Sequence, residues 1–333
     1  MAETRLGTSC YYNGGGEPLL LKSYAKHQEF LYLEALDTRV VLDDDDYRQL
    51  KKYQSGYDGE CQFYQLIETL DAVVLWDIML KDSEFVQYDF IVIAGGQLFV
   101  FDIKNHRGVY QNDAGNLVRG THCIKDPRSQ LKRAIHLLRT TLAGAGIDRK
   151  ITGRIIFIND TFRLIGFDGD PDIVFAAQLN HVISHLKTLR PTEADIAVGQ
   201  MLVGQHFGEY PYKKREKLYD AEIDARLRCM KCRKLLDGTN HNKKYIICRC
   251  GHLMKREAVM LANLQEMMAI KQETFTIQDA MEWTSASRST VKRFLRKYAI
   301  KTGNNHSTKY ELKDEFQVGG EILRSEGQNM IRI

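Results

Sequence analysis

Two aspartates and a lysine form the part of the sequence best suited to chemistry. Asp89 lies in the apolar run Phe-Val-Gln-Tyr-Asp-Phe-Ile-Val-Ile, and Asp102 lies in Leu-Phe-Val-Phe-Asp-Ile-Lys, which ends at Lys104. A Gly-Gly pair at 95–96 separates the two runs and predicts a two-residue hairpin turn. Counting outward from that turn places Asp89 opposite Asp102, with Lys104 on the face that Asp102 occupies.

Two carboxylates that face each other inside an apolar hairpin repel one another, and burial makes that repulsion more costly. A bound divalent cation and a nearby ammonium group would compensate the two charges. Carboxylate oxygens are hard ligands, which suit Mg²⁺ or Mn²⁺. The hairpin therefore predicts a metal site rather than a pair of solvated strand ends.

Two flanking helices supply further candidates. Glu60 lies on the apolar stripe of a helix, spaced i, i+3, i+4 and i+7 with Phe63, Tyr64 and Ile67. A carboxylate on such a stripe has either a partner or a function. Gln130 falls in the first turn of a later helix, close to its apolar face, where an ordinary surface role fits the sequence equally well.

Helices and strands in a definite order must position these residues. The hydrophobic pattern predicts a helix over 44–70, which could break near Gly56 and Gly59, and then three strands at 72–76, 85–93 and 97–104. A second helix begins at Asp126-Pro127, with aspartate as its cap and proline in its first position. Strands at 154–159 and 172–176 and helices at 179–189 and 193–207 follow. The order predicts an α/β fold in which helices flank a mixed sheet.

Several short segments together resemble the nuclease-related domain (NERD) family, a branch of the PD-(D/E)XK nucleases. They are Gly-Tyr-Asp-Gly-Glu (56–60), Gln-Tyr-Asp-Phe-Ile-Val-Ile (87–93), Leu-Phe-Val-Phe-Asp-Ile-Lys-Asn (98–105), Gly108 and Asp-Pro-Arg-Ser-Gln-Leu (126–131). The resemblance covers roughly residues 40–165 and implies a restriction-endonuclease-like core. Two positions depart from the family's usual pattern: Asp102 stands where glutamate is common, and Asp126 where asparagine is usual.

The resemblance implies hydrolysis of phosphodiester bonds with Mg²⁺ or Mn²⁺ as the cofactor. Asp89, Asp102 and Glu60 resemble the family's metal-site carboxylates, Lys104 resembles the lysine of its motif, and Gln130 resembles its second-helix glutamine. Lys104 would then orient the attacking water, and Gln130 would hold the phosphate or the water. The alternative is a non-catalytic DNA-binding or regulatory protein that retains a nuclease fold.

Four cysteines lie behind this region, in the pairs Cys229-x₂-Cys232 and Cys248-x-Cys250. Two close pairs separated by a short β-like segment indicate a structural zinc site. Four thiolates would close the tetrahedron around Zn²⁺ and leave no open position for catalysis. His252 could replace one cysteine of the second pair, because Cys-x-Cys is a less usual spacing than Cys-x₂-Cys.

The C-terminal segment predicts short helices at 276–283 and 285–298, then a β-ribbon at 300–312, an order that resembles a winged helix. Its second helix carries five cations that predict contact with DNA: Arg288, Lys292, Arg293, Arg296 and Lys297. A helical cap with a solvated basic face is also compatible with this pattern. The chain would thus contain a nuclease-like domain (1–210), a basic linker with a zinc ribbon (211–255) and a winged-helix-like module (256–333).

Composition limits the class of protein. The chain has 333 residues and a net charge of +4, which permits a nucleic-acid partner without requiring one. It shows no secretory signal and no run of about 20 apolar residues, so we expect a cytoplasmic protein with no membrane partner. The sequence does not distinguish DNA from RNA, single from double strands, or endonuclease from exonuclease action. It also does not indicate the oligomeric state.

Overall fold

The computed structural model describes residues 18–81, 85–208, 222–236, 244–304 and 308–313. The chain divides into two compact units: unit 1 combines Met1–Ser23 with Gln54–Pro211, and unit 2 combines Tyr24–Tyr53 with Tyr212–Ile333. The expected basic linker at 211–217 lies outside the described residues. The expected divisions near 210 and 255 remain predictions.

Helices and strands are numbered here in chain order. The first part of the chain contains β1 (Leu19–Lys22), α1 (Gln28–Leu36), α2 (Asp44–Ile67), β2 (Val73–Lys81), β3 (Phe85–Ala94), β4 (Gln97–Lys104), β5 (Val109–Asp113), β6 (Asn116–Arg119) and β7 (His122–Ile124). The middle contains α3 (Pro127–Gly144), β8 (Lys150–Phe157), β9 (Arg163–Ile165), β10 (Ile173–Phe175), α4 (Leu179–Lys187) and α5 (Glu193–Gly204). The last part contains β11 (Tyr245–Ile247), β12 (Leu253–Lys255), α6 (Arg256–Lys271), α7 (Ile277–Thr284), α8 (Arg288–Tyr298), β13 (Ala299–Thr302) and β14 (Lys309–Leu312).

Unit 1 is built on a six-stranded mixed sheet with the order β1-β2-β3-β4-β8-β10. The strands β2, β3 and β4 form an antiparallel meander, while β1, β8 and β10 join their neighbours in parallel. This confirms the mixed sheet flanked by helices. A second sheet, β7-β6-β5-β9, was not expected, because its strands are only three to five residues long and carry little periodic signal.

Both faces of the large sheet are buried, which explains why its strands are apolar along their whole length. Leu98 and Val100 of β4 pack on one face in a core that includes Leu131 and Leu138 of α3. On the other face, the Phe63 ring of α2 lies 5.1 Å from the ring of Phe90 and 5.0 Å from that of Phe101. The meander is therefore held rigidly between helices.

Helix α2 is continuous from Asp44 to Ile67, so the break that could have occurred near Gly56 and Gly59 is absent. Asp43 stabilises its beginning, because the Asp43 Oδ1 atom accepts a hydrogen bond from the Asp46 amide at 2.8 Å. A glycine inside a helix costs about 1 kcal/mol relative to alanine. The packing of α2 against the sheet offsets that cost.

In unit 2, a buried network of ion pairs and hydrogen bonds connects the segment around α1 to the C-terminal helices. The Glu266 carboxylate of α6 accepts from Arg39 at 2.8 Å and also binds Arg228, and both arginine side chains are almost fully buried. The Asn263 Oδ1 atom accepts from Arg39 at 2.8 Å and from the Arg228 amide at 2.7 Å. These contacts explain why Tyr24–Tyr53 belongs to this unit. None of the helices in the described ranges is long and apolar enough to span a membrane.

Candidate functional site

The β3–β4 hairpin has the predicted two-residue turn. Gly95 and Gly96 adopt positive φ angles of 59° and 73°, which glycine tolerates without strain, and Ala94 pairs with Gln97. The ladder continues in this register to the pair Phe90–Phe101. The predicted register is therefore confirmed, and its next step brings Asp89 level with Asp102.

Asp89 leaves the regular ladder at this point. Its Oδ2 atom accepts a hydrogen bond from the Ile103 amide at 2.7 Å, so a side-chain oxygen of β3, and not a main-chain carbonyl, binds this amide of β4. Burial, followed by the negative charge of Asp102, raises the pKa of Asp89 to about 7. The hydrogen bond from Ile103 and the charge of Lys104 oppose that rise without cancelling it.

Lys104 lies among the carboxylates. Its Nζ atom is 2.7 Å from Asp102 Oδ1. Burial by itself would lower the pKa of Lys104, but the charges of Asp102 and Asp89 outweigh burial and raise the pKa above its usual value. The second oxygen of Asp102, Oδ2, is buried and has no hydrogen-bond partner among the described residues. The site therefore contains one carboxylate oxygen that is available to a ligand.

Glu60 reaches the same group of charges from α2. Its Oε2 atom accepts a hydrogen bond from Trp76 Nε1 at 2.7 Å, and the side chain is only 9% exposed. Burial, with a further contribution from the charge of Asp89, raises the pKa of Glu60 well above its usual range. The structure therefore brings together four of the five residues proposed from the sequence: Glu60, Asp89, Asp102 and Lys104.

Asn105 connects the end of β4 by hydrogen bonds to α2 and to the residues after β8. Its side chain donates to the Ser55 carbonyl at 2.8 Å and accepts from Asn159 Nδ2 at 3.0 Å, which links α2, β4 and the residues after β8. A Cβ atom at Gly59 would lie 2.7 Å from the Asn105 Cβ atom, so only glycine allows α2 to approach this closely. This close approach explains the glycine next to Glu60.

Gln130 is not part of this cluster. It lies in the first turn of α3, as the sequence predicted, and Asp126 caps that helix by accepting from the Arg128 amide at 2.9 Å. The Gln130 side chain is exposed, and within the described ranges no hydrogen bond connects it to Glu60, Asp89 or Asp102. Its proposed role near the phosphate remains a prediction.

Asp77 is a buried carboxylate that the sequence analysis missed. It lies on β2 between the pairs Trp76–Phe90 and Ile78–Tyr88, which places it level with Asp89. Its φ angle is 59°, an unusual conformation for a residue other than glycine, and its Oδ1 atom accepts from Gln87 Nε2 at 2.7 Å. A single acidic residue in an otherwise apolar strand is the one sequence signal that could have identified it.

We expect Asp77→Ala to lower the free energy of unfolding by about 2 kcal/mol, because alanine fits a left-handed backbone poorly and leaves Gln87 without its acceptor. Asp77→Asn should cost less than about 1 kcal/mol, since asparagine tolerates this backbone and its side-chain oxygen can still accept. Urea denaturation of the full chain would compare the two variants. Equal losses would show that the backbone conformation and the hydrogen bond contribute less than the charge of Asp77, which lies 3.6 Å from Lys22 and which both variants remove.

The raised pKa of Asp89 leads to a pH prediction. The folded state binds a proton at Asp89 that the unfolded chain, with a pKa of about 3.9, releases earlier. The metal-free wild type should therefore lose stability as the pH rises from about 4 to about 7. Asp89→Asn should lose less over this range, with the remaining loss due to Glu60, whose pKa is also raised, and it should be at least as stable as wild type at neutral pH.

Thermal melts without Mg²⁺ at pH 5 and pH 8 would measure that difference. Part of the Asp89 surface is open to solvent, which reduces the effect to the order of one or two kcal/mol. Asp113→Asn provides a control, because Asp113 is an exposed carboxylate on β5. A wild-type pH slope no steeper than that of Asp89→Asn would contradict the interpretation.

The four cysteines of unit 2 converge on one point. Their Sγ atoms all lie within 4.8 Å of one another, with Cys229 and Cys250 at 3.8 Å and Cys232 and Cys248 at 3.6 Å. Four Zn–S bonds of about 2.3 Å in a tetrahedron require sulfur–sulfur distances near 3.8 Å. The arrangement therefore fits Zn²⁺, and His252 is not a member of the group.

Two tight turns present these sulfurs. In the first, the Cys229 carbonyl accepts from the Arg233 amide at 3.0 Å, and in the second, the Cys248 carbonyl accepts from the Gly251 amide at 2.9 Å. The short antiparallel strands β11 and β12 flank the second turn. Two turns and a hairpin around four cysteines are compatible with a zinc ribbon.

The carboxylates of unit 1 do not converge in this way. Among the described residues, the cysteine cluster is the one group of three or more such side chains whose ligand atoms already meet. The site around Lys104 nevertheless suits a hard cation, because it offers three carboxylates and the unpartnered Asp102 Oδ2 atom. Glu60, Asp89 and Asp102 are the residues that would hold such an ion.

The basic helix α8 is the third predicted site. It follows α7 after a turn at Ser285, and Ser287 caps it by accepting from the Thr290 amide at 3.4 Å. Val291, Phe294 and Leu295 are buried, while all five proposed cations are exposed. Among these cations, Lys297 lies 3.2 Å from Glu257 in an exposed ion pair. The antiparallel pair β13–β14 follows the helix.

Comparison with known families agrees with the geometry of unit 1. Residues 55–158 match the family model of the nuclease-related domain, NERD, and this segment is just under a third of the chain. It contains Glu60, Asp89, Asp102, Lys104 and Gln130. Neither a comparison with curated proteins nor one with solved structures found a significant match.

Proposed function

We propose that this chain, through its nuclease-related domain at residues 55–158, hydrolyses phosphodiester bonds of DNA with Mg²⁺ or Mn²⁺ as the cofactor. The observation that supports this most strongly is the group of carboxylates around Lys104, of which Glu60 and Asp102 are buried and Asp89 is partly buried. Raised pKa values with a stated electrostatic cause are common at functional sites. A sheet that served only as a scaffold would gain nothing from keeping these charges.

Glu60, Asp89 and Asp102 would hold the divalent ion, with Asp102 Oδ2 as the oxygen that is already free. The bound ion would supply positive charge to the phosphate and a water of lowered pKa. Its charge would also favour the ionised form of Asp89 and Glu60, whose pKa values are raised without it. Affinity for the ion should therefore fall as the pH drops below 7.

Lys104 would act on the reacting phosphate. In the present arrangement its ammonium group neutralises Asp102 at 2.7 Å. Once a cation balances the carboxylates, the same group would be free to orient the water and to stabilise the charge that develops on the phosphate oxygens. Asn105 would keep Lys104 in position, because it ties the end of β4 to α2.

Helix α8 would hold the DNA as part of a winged-helix-like module. Its exposed cations suit phosphate contacts, which do not depend on sequence. Lys292→Ala and Arg296→Ala should each weaken DNA binding and should each lower the slope of log Kd against log salt by about one. Fluorescence anisotropy at several salt concentrations would measure this. Slopes equal to that of wild type would remove α8 from the DNA interface.

The test of the proposed function is cleavage of supercoiled plasmid, single-stranded DNA and RNA by the full chain. Mg²⁺, Mn²⁺ and Ca²⁺ should be compared with no added divalent ion. Omission is preferable to EDTA, because EDTA would also remove a metal from the cysteine cluster. We expect Mg²⁺ and Mn²⁺ to support cleavage and Ca²⁺ to support binding more than cleavage.

No cleavage of any substrate with any of these ions would contradict the proposal. Tight DNA binding without cleavage would then favour the alternative, a non-catalytic DNA-binding protein with a nuclease fold. Cleavage of RNA alone would keep the reaction class and correct the substrate.

A further inference from the structure

A second surface of unit 1 has the chemistry of a ligand site. A groove with a volume of about 320 Å³ lies between α4 and the neighbouring strands β4 and β8. We call it the basic groove. Its walls include Phe99, Thr152, Lys150, Arg154, His181 and His185. The volume is at the lower end of the range for small-molecule sites, which suits a ligand about the size of a mononucleotide.

The basic groove is separate from the carboxylate cluster. The parallel pairing of β4 with β8 joins Gln97 to Lys150, Phe99 to Thr152 and Phe101 to Arg154, so these residues share one face of the sheet. Side chains alternate along a strand, so Asp102 and Lys104 of β4 lie on the opposite face from Phe101. Glu60 belongs to α2, which packs on the Phe101 face, but neither Glu60 nor the other members of the carboxylate cluster line the groove. A ligand in the groove would therefore not occupy the proposed catalytic site.

The charge of the groove favours an anion. Lys150 and Arg154 contribute permanent positive charges from β8, and His181 and His185 face the groove one helical turn apart on α4. None of the described residues that line the groove is acidic. Arg154 is paired at 3.2 Å with Asp172, which is outside the lining, whereas the side chains of Lys150 and His181 have no partner among the described residues.

The groove also has an apolar side. Phe99 and Phe101 lie beneath the groove with nearly parallel rings that are only 5% and 1% exposed. The accessible ring and aliphatic surface comes from the exposed His185, whose ring lies edge-on to Phe99 at 6.0 Å, and from the half-buried Val182. A ring-shaped group can rest against such a surface while an attached phosphate meets the cations. Inorganic phosphate would use the cations alone, and a nucleoside would use the apolar side alone.

We propose that the basic groove binds a nucleoside phosphate, with the phosphate between Lys150 and the two histidines and the base toward Phe99. This inference goes beyond the proposed hydrolysis and does not depend on it. The phosphate could belong to a free nucleotide or to the end of a nucleic-acid strand, since both present the same chemistry to the groove.

Isothermal titration of the full chain, without Mg²⁺, would test the proposal with adenosine 5′-monophosphate, adenosine, inorganic phosphate and a 5′-phosphorylated oligothymidylate. We expect adenosine 5′-monophosphate to bind at least about tenfold more tightly than adenosine or phosphate, because it alone uses both parts of the groove. Stronger binding of the oligonucleotide that Lys150→Glu removes would identify a strand end as the source, because binding at α8 would persist in that variant. Oligonucleotide binding that Lys150→Glu leaves unchanged would identify a free nucleotide.

Variants that place a negative charge in the basic groove would show whether the nucleotide binds there. Lys150→Glu and His181→Glu replace exposed side chains and should each weaken binding of adenosine 5′-monophosphate at least about tenfold. Lys187→Glu is the matched control, because Lys187 is exposed on α4 but does not line the groove, and it should leave the affinity within about twofold. Thermal melts would confirm that all three variants fold. No binding at millimolar nucleotide, or equal affinity in Lys150→Glu and Lys187→Glu, would overturn the proposal.

Discussion

Lys104→Ala is expected to lower the rate of DNA hydrolysis at least about a thousandfold. Among the described residues, Lys104 is the one cation with an ion pair to Glu60, Asp89 or Asp102, at 2.7 Å from Asp102, and the proposed reaction needs its charge next to the phosphate. The side chain is 22% exposed and contributes little to the apolar core, so the variant should fold. It should also still bind Mn²⁺, because its three carboxylates remain.

Single-turnover cleavage of plasmid by wild type and variant, purified side by side, would measure this loss. Lys187→Ala is a suitable control, since it removes an exposed lysine of unit 1 that lies away from the carboxylates. Equal rates in wild type and Lys104→Ala would point to a contaminating nuclease or to a different site. A loss of Mn²⁺ binding in Lys104→Ala would show that the lysine supports the metal site rather than the reaction.

Cys229→Ser is expected to remove zinc from the protein and to unfold residues 227–252. Cys229 has a buried thiol, and its sulfur is one corner of the four-sulfur group. The hydrophobic cluster around it is small, with Leu227, Leu236 and Ile246 among its members, so metal binding would provide most of the local stability. The six-stranded sheet belongs to unit 1 and should remain folded.

Elemental analysis would give the zinc content, and hydrogen exchange would show which segments open. We expect about one zinc per chain in wild type and in Cys123→Ser, a control that replaces an exposed cysteine of β7. In Cys229→Ser, fast exchange should be confined to unit 2 and should include the Arg228 amide, which donates to Asn263. Wild-type protein without zinc, or full zinc retention in Cys229→Ser, would contradict the assignment.

Local patterns predicted the parts of the structure that depend on neighbouring residues. The glycine pair fixed the hairpin turn and its register, and the Asp126-Pro127 start of α3 was confirmed. The spacing of the cysteines identified the four sulfurs that converge. Turn geometry, helix capping and ligand spacing each depend on residues that are close together in the chain, so a short stretch of sequence is enough to predict them.

Features that depend on distant contacts could not be predicted in the same way. Gly59 lies inside the continuous helix α2, where Asn105, 46 positions later, occupies the space that a side chain would need, so this glycine marks a close contact and not a helix break. Segment Tyr24–Tyr53 joins unit 2 through Arg39, whose partners Asn263 and Glu266 lie more than 200 residues away in the chain. The position of the Asp89 carboxylate depends on a hydrogen bond from the Ile103 amide, which belongs to another strand.

Manganese in crystals of the full chain tests the central claim most directly, because Mn²⁺ can replace Mg²⁺ and its anomalous scattering marks its position. Crystals soaked with Mn²⁺ should show a peak among Glu60, Asp89 and Asp102, with an Asp102 oxygen as a ligand. The peak should be absent from Asp102→Asn crystals soaked in the same way. Wild-type crystals with no peak among these carboxylates, or an unchanged peak in Asp102→Asn, would contradict the assignment of this cluster as the metal-dependent nuclease site.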